Sequence, residues 1–162
     1  MNDKTNSSEA KAEQGGLPPE LATARDALSK LPILGPALWL FAKDPQKKFG
    51  FIGDIDGTVL PPVILDQCRL YTKEGIPFAF FTWAKVSDDV DARLRGGQPS
   101  IAPHEWQSGE HLWMVDMVAP FGHLEEMFAE LRKDYLPGQK VTALRPDPKQ
   151  NGQLSIQEWD AA

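Results

Sequence analysis

The sequence predicts an α/β (α+β) layer fold: a mixed sheet with interspersed helices. Three observations carry that. Residues 69–72 and 77–84 are strand-like runs joined by Lys73-Glu74-Gly75, a hairpin signal. Residues 112–118 are strongly apolar, of strand length, and end at Pro120-Phe121-Gly122. A helix pattern follows, with Leu124, Met127, Phe128 and Leu131 on one face and Glu125, Glu126, Glu130, Arg132 and Lys133 on the other. Strands separated by such helices bury their apolar faces by layering helices on a sheet.

The remaining elements follow in chain order. Residues 1–16 are polar, with almost no apolar anchor, and read as a disordered tail; the ordered domain is expected over 17–162. Pro18 and Pro19 suit the start of a helix, with Leu21, Ala24, Leu28 and Leu31 at helical spacing. After Gly35 and Pro36 a second short helix is expected, carrying Leu38, Trp39 and Phe41. Residues 49–60 alternate weakly. Pro61-Pro62 then opens a helix containing Ile64, Leu65 and Cys68. Ser87 is a good N-cap, Asp88 and Asp89 suit the positive end of the helix that follows, and Gly96-Gly97 stop it. Residues 141–144 form a last core strand. From Pro146 the chain is polar apart from Leu154, Ile156 and Trp159.

Composition narrows the function. With 162 residues, the chain can bury a core without disulfides or metals. A share of 41% apolar residues excludes a wholly disordered protein. A net charge of -6 argues against a broad grip on nucleic acid, which wants a basic face. The single cysteine, Cys68, excludes an internal disulfide and a cysteine-based zinc site. No run reaches the roughly 18 apolar residues of a membrane span, so no stable membrane insertion is expected. The polar N-terminal stretch carries no apolar leader, and a cytoplasmic location is expected.

One motif invites a phosphatase reading. Asp54-Ile55-Asp56-Gly57-Thr58 follows the apolar Phe51-Ile52. It resembles the first motif of haloacid dehalogenase-like phosphatases, where two carboxylates at a strand end share a magnesium ion. Thr82, Lys85 and Asp88-Asp89 could supply the other parts. Pro61-Pro62 and the hairpin speak against it, and Asp, Gly and Thr also suit a plain turn.

A second resemblance spans Leu38 to Trp159. Its strings are Trp39-Leu40-Phe41-Ala42 with Pro45, Val59-Leu60-Pro61, Gln67, Leu70-Tyr71-Thr72-Lys73 and Ile76-Pro77-Phe78-Ala79-Phe80. Then come Thr82-Trp83-Ala84, Trp106-Gln107-Ser108-Gly109-Glu110, Trp113-Met114-Val115-Asp116, Ala119-Pro120-Phe121-Gly122 and Arg145-Pro146-Asp147-Pro148-Lys149. In this order they resemble the RTX-toxin-activating lysine acyltransferases, the haemolysin C-type family. The resemblance implies a GNAT-like fold, with a mixed, largely antiparallel sheet flanked by helices in a single domain. It also implies transfer of a fatty acyl group from acyl carrier protein to internal lysines of an RTX protoxin. Acyl carrier protein is then a co-substrate, with no cofactor bound. Such enzymes are often dimeric, which allows a homodimer.

The family reaction uses a His and an Asp. The Asp maps to Asp116, already unusual as a carboxylate in an apolar strand. Plain alternation puts it on one face with Met114 and Val118. A lone buried charge is expensive, so Asp116 must be paired or functional. Its implied role is to orient the base or to take a proton from the attacking lysine. The His position reads Pro45-Gln46-Lys47, so Lys47 stands in the histidine's place, with Lys48 beside it. An ordinary lysine amine is a poor general base near pH 7. The alternative is therefore a catalytically impaired partner or regulator that binds acyl carrier protein, protoxin or a paralogue.

For donor or substrate binding, the resemblance points to Gln67, to Thr58 where the family commonly has Asn, to Phe121 and Gly122 at a helix start, and to Arg145, with Lys149 nearby. His123 could substitute as a base; a surface histidine is the plainer reading. The spacing of His104, His111 and His123 suggests no metal site. One face of Phe78, Phe80, Phe81 and Trp83 could line an acyl-chain channel; the alternative is core packing.

Overall fold

In the computed structural model, which describes Gly16 and residues 18–161, residues up to Lys30 form one unit and Leu31 onward another. The expected tail lies outside the described residues, Gly16 apart, as does Leu17. The first unit holds α1 (Pro19–Ser29). Pro19 sits at the first helical position, where a missing N–H breaks no bond. Leu31, expected on that helix, belongs instead to a 3-10 turn, Leu31–Ile33, that opens the second unit.

In the second unit, α2 (Leu34–Lys43) runs through Gly35 and Pro36 rather than starting after them. Pro36 lies in the first turn, where amides have no intrahelical partner, so it costs no helix bond. Residues 49–60 form no strand. A 3-10 turn, Ile52–Asp54, leads into α3 (Ile55–Thr58), and α4 (Leu60–Ile64) follows with both its prolines early. The helix expected to reach Cys68 stops short, and Cys68 begins β1 (Cys68–Lys73). Its partner is β2 (Ile76–Val86). Between them Glu74 and Gly75 take φ of 52° and 78°, the left-handed pair of a tight hairpin turn. Ser87 caps α5 (Asp88–Arg95), accepting the Val90 amide, and the chain leaves the helix through Gly96-Gly97.

β3 (His111–Val118) lies antiparallel to β2, α6 (Leu124–Tyr135) crosses over, and β4 (Val141–Pro146) returns parallel to β3. A fifth strand, β5 (Leu154–Trp159), occupies what reads in sequence as a polar tail. It pairs antiparallel with β4 over six residue pairs. Its apolar Leu154 and Ile156 face outward and are exposed, so the segment carries no core pattern. Backbone pairing and Trp159, edge-on to Phe128 at 4.8 Å, hold it instead.

The sheet order is β1-β2-β3-β4-β5, mixed and largely antiparallel, with helices against it, as the sequence predicts. Both faces are packed. Ala79, Phe81, Met114 and Val141 bury against Phe128 and Leu131 of α6. Phe80 and Val118 bury against Ala37 and Leu40 of α2 and Val63 of α4. Ala84, Val86 and Trp113 pack with Val90 and Leu94 of α5. Phe80 and Phe81 are fully buried in two different clusters, so these aromatics are core rather than channel.

One irregularity positions the site. The register of β2 on β3 runs Thr82↔Asp116 and then Trp83↔Met114, leaving Val115 as an extra residue, a β-bulge. This corrects the expectation from plain alternation. Met114 joins the α6-side core and Val118 the α2-side core, and Asp116 stands opposite Thr82.

Candidate active site

The site begins where α2 ends. Asp44 organises the next turn: its Oδ1 accepts the amides of Gln46 and Lys47 at 2.9 and 3.0 Å, and its carbonyl accepts that of Lys48 at 3.1 Å. The turn directs Lys47 to the sheet, where Nζ donates to Oδ1 of Asp116. The Phe41 ring lies 5.8 Å from the ammonium, within cation–π range.

On the other side stands Thr82 of β2. Its hydroxyl donates to Asp116 Oδ2 at 2.9 Å and accepts the Asp116 amide at 3.0 Å. Both oxygens of Asp116 are therefore engaged. That answers the cost of its burial: its side chain is only 4% exposed, against 42% for Lys47.

The pair lines a cleft of about 420 Å³. Leu38, Phe41, Ile55 and Val59 make its apolar wall, and Phe51 and Ile52 contribute highly exposed apolar surface. Lys48, Asp54 and Thr58 are its other polar side chains. A second cleft, of about 330 Å³, shares Asp54 and Thr58 with the first and continues along Gly57, Ser100, Ile101 and Trp106. A fixed ammonium on the wall of an apolar cleft is suited to stabilise an oxyanion that develops beside it.

The model of the RTX toxin acyltransferase family matches residues 26–160. The chain belongs to that family. It is 31% identical over 119 residues to the protein-lysine myristoyltransferase HlyC of Escherichia coli, spanning 74% of this chain and 68% of that protein. It is likewise 31% identical over 118 residues to the leukotoxin-activating lysine-acyltransferase LktC (serotype A1) of Mannheimia haemolytica, spanning 73% and 70%. The RTX-I toxin-activating lysine-acyltransferase ApxIC of Actinobacillus pleuropneumoniae is 29% identical over 116 residues, spanning 72% and 67%. Membership of the RTX toxin acyltransferase family makes the chain an acyltransferase by class.

Of the residues singled out from sequence, the first cleft gathers Lys47, Thr58 and Asp116. Thr58 Oγ1 donates to the Asp54 carbonyl at 2.8 Å. Gln67 is buried elsewhere: its Nε2 donates to the carbonyls of Trp83 (3.2 Å) and Trp106 (3.1 Å), next to the bulge. Phe121 is half-exposed, 5.8 Å from Trp39 and 5.9 Å from Phe78, and Gly122 turns with φ of 93°. Arg145 donates to Glu125 at 3.3 Å. His123 sits at φ 63° with Nδ1 2.9 Å from Glu126, and it does not line the cleft. Asp54 and Asp56 lie on a 3-10 turn and a short helix, not at the strand end that a phosphatase motif requires.

Sequence reasoning missed the roles of Asp44 and Thr82. Asp44 carried one usable signal, an Asp just after an apolar helix and just before Pro45, which favours an Asx turn. Among the described residues no helix is long and apolar enough to cross a membrane.

Proposed function

We propose that this chain transfers a fatty acyl group from the thioester of acyl carrier protein to the ε-amino group of internal lysines of an RTX protoxin, in the cytoplasm. The observation that carries the reading is the Lys47–Asp116 pair on the wall of an apolar cleft, in a chain of this family. The acyl chain occupies the cleft between Phe41 and Val59, with its thioester carbonyl facing Lys47. The acceptor amine attacks the carbonyl carbon, and Lys47 Nζ donates to the oxygen as charge builds there. The C–N bond forms, the C–S bond breaks, and the carrier leaves as its thiol. Asp116, itself held by Thr82, keeps Lys47 in place, a positioning role.

The parallel β3–β4 pair, bonded at only two residue pairs, supports the GNAT-like reading of the sheet. Thr58 contacts the donor within the cleft, Phe121, Gly122 and Arg145 meet the carrier outside it, and Gln67 acts indirectly by bracing the bulge. The test is intact-mass spectrometry of an RTX protoxin incubated with this protein and a set of acyl carrier protein thioesters. A gain of one or two acyl groups, lost in Asp116→Ala, is the expected result.

Lys47 in the histidine's place favours a second reading, a fold that binds carrier, protoxin or paralogue without turnover. No gain with the natural protein, but a gain with Lys47→His, would establish that reading and overturn the first.

A further inference from the structure

We propose that Asp54 receives the acceptor lysine: it binds the incoming ammonium and takes its first proton. The inference rests on the acyltransferase reading and adds to it the group that makes the acceptor nucleophilic. A free lysine amine has a pKa of about 10.4 and so arrives protonated, with no lone pair to attack a carbonyl. A base in the cleft that removes that proton lets the bound lysine react at pH 7, where little of it is free amine.

Asp116 is poorly placed for this. Its side chain is 4% exposed, Oδ1 is taken by Lys47, and Oδ2 by Thr82. Lys47 and Lys48 offer the cleft donors rather than acceptors. Among the described residues that line the cleft, the one other carboxylate is Asp54. It is exposed, and its side chain is anchored through one oxygen only, with Oδ2 accepting the Phe51 amide at 3.3 Å. Its backbone is fixed separately, by the Thr58 hydroxyl on its carbonyl at 2.8 Å.

Asp54 also belongs to two clefts. With Thr58 it forms the wall shared between the apolar cleft and the second one that runs along Ser100 and Ile101. A lysine-bearing segment lying in the second cleft reaches Asp54 without displacing an acyl chain from the first. Each substrate thus has its own approach, and the carboxylate stands between them.

The protons balance as follows. The ammonium gives one proton to the Asp54 carboxylate. The neutral amine attacks the thioester carbon, and the C–N bond forms. The C–S bond breaks as the second amine proton passes to the departing sulfur. Asp54 then releases its proton to solvent.

The test uses the full chain, myristoyl-acyl carrier protein as donor and an RTX protoxin as acceptor, with initial rates by intact mass from pH 7 to pH 9. Asp54→Asn keeps the shape of the side chain and an acceptor for the Phe51 amide. At pH 7 its rate is expected to fall about 100-fold, with KM for the acceptor raised and KM for the donor unchanged. The deficit shrinks as pH rises, because the free-amine fraction of the acceptor grows about tenfold per pH unit. Asp54→Glu recovers most of the rate. A wild-type rate in Asp54→Asn, or a deficit that is constant across pH, overturns the inference while leaving the acyltransferase reading intact. A wild-type protein that acylates nothing overturns the parent reading, and this one with it.

Discussion

Thr82 serves Asp116 twice, as donor to its carboxylate and acceptor of its amide, so one hydroxyl holds the residue at both ends. Thr82→Val keeps the shape and removes both contacts at a buried site. The expected cost is about 1–3 kcal/mol for each polar group left unsatisfied, read from urea midpoints. Acyl transfer falls with it, because Lys47 loses a fixed anchor. Tyr71 tests a different burial. Its hydroxyl is buried with no hydrogen-bond partner, and burial, aided by the nearby Glu130 charge, pushes its pKa from 10.0 up to about 12. The folded state therefore holds the phenol proton more tightly than the unfolded chain does. That contribution is complete below about pH 10 and is lost as pH rises towards 12. Tyrosinate absorbance should show Tyr71 ionising in this late window, and Tyr71→Phe should abolish the phase. Asp116 was legible in the sequence because a carboxylate in an apolar strand demands a partner. Lys47 was legible only through the family resemblance, since nothing local marks one lysine of a Lys-Lys pair. Thr82 was illegible because a β-branched residue in a strand is ordinary. Asp54 stood out for the wrong reason: its Asp-Gly-Thr setting suggests a metal loop at a strand end, and the chain makes a helical turn there.

Local rules succeeded wherever pattern and backbone agreed. The β1–β2 hairpin, β3, α6 and β4 follow from alternation, turn residues and an amphipathic face. β5 escaped because it is an edge strand held by backbone pairing, and α3 because four residues are too few to show a period. Gly109 explains one quoted sequence block in physical terms. A Cβ there would sit 2.4 Å from the Val86 carbonyl oxygen and 2.6 Å from Ser87 Cα, both backbone. The loop bearing Ser108, whose hydroxyl accepts the Ser87 amide at 3.0 Å, closes on the start of α5 only without a side chain at 109. Gly109→Ala should cost about 1–3 kcal/mol, seen as a lower thermal midpoint. Its loss should concentrate in faster amide exchange around the start of α5.

Across the second unit, one sheet is covered on both faces, and the Lys47–Asp116 pair lies where β2, β3 and the turn after α2 converge. Mixed topology was legible from the order of strands and helices. The bulge was not, because an extra residue in an apolar strand leaves no mark in composition. Its consequence concerns chain length. Removing one residue from a buried strand ordinarily turns every later side chain to the wrong face. β3 is already divided into two segments of opposite phase, joined by Val115. Deleting Val115 should leave Leu112 and Met114 facing α6 and Asp116 and Val118 facing α2, and the shortened protein should fold with a circular dichroism spectrum close to the parent's. Deleting Met117, which lies beyond the bulge, should not be survived, because it turns Asp116 or Val118 to the wrong face. The middle of this strand is thus a place where a codon can be lost without a change of fold.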